Sequence, residues 1–157
     1  MKKNILRIIL ILLLFGTFYL IFNFSSQNSE ESGGKSRQIT EVVTKNVKDI
    51  QDLSKSEKIK VLYRIESIIR KIAHFSIYSF VGILVMAFLS TYNISENKRI
   101  IFSLLIGVLY ASTDEFHQRF VPGRSGELTD IFLDSLGVLF GCLIILLILK
   151  IIDKNQN

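Results

Sequence analysis

The stretch Tyr110–Gly141, YASTDEFHQRFVPGRSGELTDIFLDSLGVLFG, decides the fold because it places carboxylates at the ends of two apolar segments. The carboxylates form two clusters, Asp114–Glu115 and Asp130–Asp134. A charged side chain at the centre of a membrane helix costs roughly 2.5–3.5 kcal/mol, and less near the interface. These carboxylates are therefore expected to face a bundle interior or a wet cavity, which predicts a functional site at one membrane face.

Outward from this stretch, the chain contains four apolar runs close to the length of a membrane span, which is about 17–25 residues. The third run reaches that length only if it extends to about His117, which brings Asp114 and Glu115 into the outer bilayer. We predict an all-α membrane protein with a single domain over residues 1–157, built as a four-helix bundle. The predicted spans are 5–24, 72–90, 100–117 and 131–150, with a loop insertion at 25–71.

The flanks of the first run indicate the topology. Three basic residues, the last of them Arg7, precede or begin the run, whereas residues 23–34 contain no basic residue and two glutamates. The apolar run is too long for an ordinary signal peptide and lacks a cleavage motif, so it is expected to be an uncleaved signal anchor. The positive-inside rule then predicts that both termini are cytoplasmic, although the basic pair at 70–71 opposes this orientation.

The net charge of +5 does not indicate nucleic-acid binding. In a membrane protein the basic residues of the loops set topology and contact anionic lipid, and no nucleic-acid module is recognisable. Cys142 is the only cysteine, which excludes an intrachain disulfide and predicts a small packing residue.

The insertion between the first two spans contains two amphipathic stretches. The polar, Gly-containing segment 25–34 predicts a flexible turn. Apolar residues then recur at helical spacing over 39–50. A second stretch begins at Ser54, which with Glu57 has the spacing of a capping box, and continues into the second span. These helices could lie on a membrane surface or form a lid over the bundle.

Each span carries a stripe of polar and small residues at intervals of three and four, so that each stripe lies on one helix face. The small residues lie toward the predicted cytoplasmic end, and Gly137 and Gly141 have the GxxxG spacing that permits close helix contact. The polar residues lie toward the outer end, which predicts an outward-facing polar pocket. The stripes are Gly16, Leu20, Asn23 and Gln27; Lys71, His74, Tyr78 and Gly82; Gly107, Ala111, Asp114 and Gln118; and Asp130, Asp134, Gly137 and Gly141.

The loop between the last two spans contains a predicted type II turn at Val121–Arg124, because Pro122 presets φ and Gly123 supplies a positive φ. This turn would hold Arg124 in a fixed position. Its planar fork could bind the phosphate or carboxylate of a ligand, or could form an internal salt bridge. Together with Lys71, Arg124 favours an anionic ligand group.

The polar residues allow several kinds of chemistry. The four carboxylates could hold a divalent cation through oxygen ligands, or form an acid–base pair, with His74 as a base. A zinc site is disfavoured by the shortage of His and Cys, and no metalloprotease, nucleophile-elbow or phosphate-loop motif is present. The catalytic candidates are His74, Asp114, Glu115, Asp130 and Asp134. The predicted ligand-binding residues are Lys71, His74, Tyr78, Asp114, Glu115, Gln118, Arg124, Asp130 and Asp134.

Four motifs carry a resemblance to a known family. They are F-S-S-Q at 24–27, R-K-I-A-H-F-S-I-Y at 70–78, D-E-F-H-Q-R-F-V-P-G-R at 114–124 and D-x-x-x-D-x-x-G-x-x-x-G at 130–141. Together they resemble the VanZ-like family of small membrane proteins. The resemblance implies an integral protein of the cell envelope, with resistance to teicoplanin-type antibiotics in some relatives, and no established reaction.

Three functions stay open from the sequence. The first is an envelope protein whose outer pocket binds a membrane lipid or the headgroup of a lipid-linked wall precursor, and so alters glycopeptide susceptibility. The second is an intramembrane hydrolase or transferase acting on such a headgroup. The third is a structural protein whose carboxylates pair with Lys71 and Arg124.

Overall fold

The computed structural model is all-helical over the residues it describes, which are 2–27, 29–45, 47, 50, 53–124 and 126–155, with backbone alone for 29–33 and 35–37. Five helices are α1 (Lys2–Ser25), α2 (Ser29–Thr44), α3 (Lys55–Ser90), α4 (Glu96–Gln118) and α5 (Leu128–Lys154). Four of them, all except α2, are long and apolar enough to cross a membrane. The prediction of a four-span bundle with a helical insertion is confirmed, and the chain is a multi-pass membrane protein.

Helix α3 begins where the sequence predicted. The Ser54 side chain accepts a hydrogen bond from the Glu57 backbone N–H, and the Glu57 carboxylate accepts one from the Ser54 N–H at 3.2 Å. This reciprocal capping box satisfies two backbone donors that the first helical turn leaves unpaired. Helix α3 then continues without interruption from the insertion into the second span.

The flexible turn predicted over residues 25–34 is wrong beyond its first residues, because α2 already begins at Ser29. Glycine weakens a helix interior by only about 1 kcal/mol relative to alanine, and α2 also packs against α3. Thr40 and Thr44 are buried, whereas Val42 and Val43 are more than half exposed. Helix α2 therefore lies on the bundle as a lid would, while its apolar side faces outward as in a membrane-surface helix.

Small residues bring α3 and α5 together in the most extensive contact of the bundle. A Cβ at Gly82 would strike the carbonyl of Val138, and a Cβ at Gly141 would strike the carbonyl of Ser79. A Cβ at Gly137 would also lie too close to the backbone of α3, at 2.6 Å from the Phe75 carbonyl oxygen. The close contact predicted from the GxxxG spacing is confirmed.

The face of α1 that enters the bundle differs from the predicted stripe. Thr17, Ile21 and Ser25 are buried, whereas the predicted Gly16 faces open space and Leu20 is half exposed. Helix α1 is apolar on nearly all sides, so hydrophobic periodicity has little power to identify its inner face.

Arg7 anchors the start of α1. Its guanidinium donates to the Thr91 hydroxyl and to the Thr91 carbonyl, both at 2.8 Å, and lies 3.9 Å from the centre of the Tyr92 ring. The planar fork of arginine suits this double contact. Arg7 therefore ties the start of α1 to the end of α3.

The predicted topology can be tested with single cysteines at two exposed positions, Thr129 and Asn93, in a Cys142→Ser background. The charge asymmetry around α1 predicts that Thr129→Cys reacts with an impermeant thiol reagent on intact cells, and that Asn93→Cys reacts only after permeabilisation. Gly126 is unsuitable for this purpose because a Cβ there would strike the Glu115 carbonyl. The opposite labelling pattern would reverse the orientation.

Candidate functional site

The two acidic clusters, Asp114–Glu115 and Asp130–Asp134, lie at one end of the bundle, which we call the acidic end. It is formed by the end of α1, the middle of α3, the end of α4, the loop that follows α4 and the start of α5. On α3 the polar residues recur every three or four positions, which places Lys71, His74 and Tyr78 along one face. The polar ends of the stripes on α3, α4 and α5 meet here.

A polar cavity of about 200 Å³ opens at the acidic end. Lys71 and Asp130 lie at its edge and form an ion pair, with Lys71 Nζ 3.1 Å from Asp130 Oδ1. Five of the nine predicted ligand-binding residues therefore line one space. The lining residues are Ser67, Arg70, Lys71, His74, Gln118, Gly123, Arg124, Glu127, Asp130 and Leu133.

The other four predicted residues are buried in the bundle. Tyr78 and Asp134 are fully buried, and Asp114 and Glu115 are no more than 4% exposed. The Tyr78 hydroxyl has no hydrogen-bond partner among the described residues. Three helices thus hold three carboxylates and a phenol together in the interior, where unpaired polar groups are costly.

The buried carboxylates differ in their partners. Asp114 accepts hydrogen bonds from the Ser25 hydroxyl at 2.9 Å and from the Gln118 side-chain amide at 3.1 Å. Glu115 accepts the backbone N–H of Glu127 at 3.0 Å, which fixes the loop before α5. Two of the three carboxylates therefore have defined structural contacts.

Asp134 has no such contact. Neither of its oxygens has a hydrogen-bond partner in the described part of the chain. Its nearest potential cation is His74, whose Nδ1 lies 3.7 Å from Asp134 Oδ2, beyond ordinary hydrogen-bonding distance.

An apolar cavity of about 240 Å³ adjoins the polar one. The two cavities share Arg70, His74 and Arg124, which therefore lie at the junction between them. Ile39 contributes to its wall, so α2 forms part of the site. The other lining residues are Ile21, Phe24, Ser25, Gln27, Ile69, Ala73 and Ile77.

Arg124 extends from the predicted turn. Gly123 has φ of 75°, and the Arg124 N–H donates to the Val121 carbonyl at 3.1 Å, as in the predicted type II turn. The guanidinium donates to the Phe24 carbonyl at 3.1 Å, at the end of α1. The internal salt bridge considered from the sequence is not formed with any described carboxylate.

Arg70 lines both cavities, although it was not among the predicted ligand-binding residues and entered the sequence analysis only through a family motif and the topology. Its spacing of four residues from His74 is the signal that could have placed it on the same face. Burial and the neighbouring Arg70 lower the pKa of the Arg124 guanidinium, in that order. Arginine nevertheless stays charged, so the junction holds two cations close together.

A comparison with protein families gives a match over most of the chain. A family model described as VanZ/LLP1 matches residues 9–149, nearly the whole chain. No curated protein and no solved structure shows a significant match.

Proposed function

The chain belongs to the VanZ-like family, and on this basis we propose that the acidic end faces outward and binds the anionic headgroup of a membrane lipid or a lipid-linked wall precursor. The headgroup occupies the polar cavity, and part of its hydrocarbon chain occupies the apolar one. The protein then acts in the cell envelope as a headgroup-binding protein.

The observation that carries this proposal is the pair of arginines at the junction. Neither Arg70 nor Arg124 forms an ion pair with a described carboxylate, and the buried Nε atom of each has no hydrogen-bond partner within the described ranges. Placing two partly desolvated guanidiniums together is unfavourable until an anion arrives. A phosphate group suits the site because its oxygens can accept from both forks at once.

The apolar cavity supports an amphiphilic ligand. It shares both arginines with the polar cavity, and isoleucine and phenylalanine side chains contribute to its wall. Hydrocarbon buried there gains roughly 0.8 kcal/mol per CH₂ group relative to water, although much less relative to the bilayer. The chain contact therefore contributes mainly to orientation, and the arginines contribute selectivity for anionic headgroups.

Occupation of this site would also account for the antibiotic phenotype that the family resemblance implies. A wall precursor held at the outer membrane face presents its headgroup differently to a glycopeptide such as teicoplanin. The expected phenotype is a change in susceptibility that depends on the two arginines.

Lipid binding can be tested with the full chain in nanodiscs or detergent. Arg70→Gln and Arg124→Gln should each weaken binding of phosphatidylglycerol or a polyprenyl phosphate, measured by native mass spectrometry, by roughly ten- to a hundredfold. This range follows from about 1.5–3 kcal/mol for a hydrogen bond to a charged group. Phosphatidylcholine should bind weakly to the wild type and to both variants. Inorganic phosphate should bind the wild type more weakly than the two anionic lipids do.

Arg119→Gln is the matched control, since Arg119 lies in the same loop, is exposed and lines neither cavity. Equal loss in this control would show that general surface charge, and not the junction, attracts the lipid. If all three variants bind the lipids with the affinity of the wild type, the proposal is contradicted and a structural role is favoured.

Enzymatic action on the headgroup is the second candidate. It is favoured by His74, which borders both cavities and lies next to the buried Asp134, as a base and an orienting carboxylate do. Conversion of the bound lipid by the wild-type protein, lost in His74→Ala, would establish an enzyme.

A further inference from the structure

The carboxylates beneath the polar cavity leave several oxygens unsatisfied. Among the described residues, neither oxygen of the fully buried Asp134 has a hydrogen-bond partner. The same holds for Glu115 Oε1, whereas Glu115 Oε2 receives the Glu127 N–H. Charged oxygens in an apolar interior are strongly unfavourable unless they are paired or bind a metal. These groups therefore indicate a ligand of opposite charge.

The geometry of the same residues fits a small cation. His74 on α3, Glu115 on α4 and Asp134 on α5 each offer one donor atom, and these three atoms lie within 4.8 Å of one another. Donors bind first-row divalent metals at about 2.0–2.2 Å. The three side chains would need to rotate toward one another to contact one ion together.

We propose that His74, Glu115 and Asp134 bind a divalent cation of the Zn²⁺ or Mn²⁺ type. One imidazole nitrogen and two carboxylate oxygens form a mixed donor set, whereas Mg²⁺ and Ca²⁺ prefer oxygen donors alone. The sequence disfavoured zinc because histidines and cysteines are few. Three protein ligands are nevertheless the usual number at a metal centre that keeps an open position.

The surroundings support a metal rather than a simple ion pair. The double positive charge of the ion offsets two carboxylates, whereas a protonated His74 would offset only one. Asp114 already has Ser25 and Gln118 as partners, and Asp130 pairs with Lys71, so both stay outside the ligand set.

The open coordination position has a defined direction. His74 lines both cavities, so a ligand approaching from the polar cavity reaches the ion from the His74 side. A phosphate oxygen held by the junction arginines could complete the coordination. This last point rests on the proposed function, whereas the metal site itself does not.

The test uses the purified full chain in detergent, stripped with a chelator and titrated with ZnCl₂, MnCl₂ or MgCl₂. The wild type should bind about one Zn²⁺ or Mn²⁺ per chain by elemental analysis and calorimetry, and its thermal midpoint should rise. Asp134→Asn and Glu115→Gln should each lower the affinity by at least roughly tenfold, since even residues that only support metal ligands have effects of that size. Glu96→Gln, which removes a carboxylate at the opposite end of α4 from Glu115, should bind metal as the wild type does.

The metal-free protein separates the metal site from a scaffold ion pair. Without metal, Asp134→Asn should be at least as stable as the wild type, because it removes an unpartnered buried charge. The proposal is overturned if the wild type binds no more metal than Asp134→Asn and Glu115→Gln do. It is also overturned if Asp134→Asn unfolds in metal-free buffer while added metal does not stabilise the wild type.

Lipid binding is measured separately on the metal-free protein. If the arginine variants lose lipid but metal never binds, the metal site fails and the proposed function stands. If metal binds as expected but the lipid affinity is unchanged in both arginine variants, the proposed function fails and the metal site stands.

Discussion

Gly141→Leu should abolish stable folding or lower the thermal midpoint in detergent by more than any other substitution proposed for this protein. A Cβ at this position would strike the Ser79 carbonyl oxygen and would lie 2.8 Å from the Ile83 backbone nitrogen. Both obstacles are backbone atoms of α3, which cannot rotate away as a side chain can. Overpacking in cores usually costs about 1–3 kcal/mol and occasionally more. A leucine here should exceed that range because it separates two whole helices.

The chain offers a matched control in Gly16→Leu. A Cβ at Gly16 meets nothing within 4 Å, so the added side chain projects into open space. Leucine also favours a helix over glycine by about 1 kcal/mol, so this variant should be neutral or slightly stabilised. The thermal midpoint of Gly141→Ala should lie between those of the two leucine variants. Equal thermal midpoints and expression for Gly141→Leu and Gly16→Leu would contradict the observed α3–α5 contact.

Asp114→Leu should destabilise the bundle and release the end of α1, the second largest effect that we expect. Leucine has the same branching at Cγ, although it is larger, and it cannot accept the hydrogen bonds from Ser25 and Gln118. A buried polar group left without a partner costs about 1–3 kcal/mol. Gln118 would retain its longer contact with the Ser25 hydroxyl, at 3.3 Å. The Ser25 hydroxyl could instead donate to the carbonyl four residues earlier in its helix. The free energy of unfolding in detergent, measured with increasing SDS, is the appropriate readout.

A double-mutant cycle isolates the contact between α1 and α4. Ser25→Ala alone should cost less than Asp114→Leu, and the double variant should cost less than the sum of the two. Ser112→Ala serves as the control, since its hydroxyl donates to the Val108 carbonyl within the same helix. Additive effects of Ser25→Ala and Asp114→Leu would mean that this contact does not hold α1 in place.

These expectations assign different roles to two carboxylates that the sequence could not distinguish. Asp114 and Asp134 both lie at inward positions of apolar helices, and both were ligand and catalytic candidates. The structure gives Asp114 two hydrogen-bond donors and gives Asp134 none within the described residues. Asp114 is therefore expected to stabilise the bundle, and Asp134 is expected to bind a ligand.

Much of the fold was determined by the sequence alone. Runs of apolar residues near 20 in length specify membrane helices because the bilayer satisfies no backbone hydrogen bonds. The Ser54 cap, the turn at Gly123 and the inward carboxylates also follow from local rules, since each depends on residues within a few positions of one another. The GxxxG pair on α5 predicted a close helix contact for the same reason.

Only the tertiary structure decided the features that depend on how separate helices are rotated and spaced. Helix α1 is apolar on nearly every side, so its buried face, with Ser25 against Asp114, was fixed by contacts with α3 and α4. The junction of Arg70 with Arg124 joins residues 54 positions apart, and the His74–Asp134 approach joins residues 60 apart. Periodicity relates the residues of one helix to each other, whereas distances between helices depend on packing that no local pattern encodes.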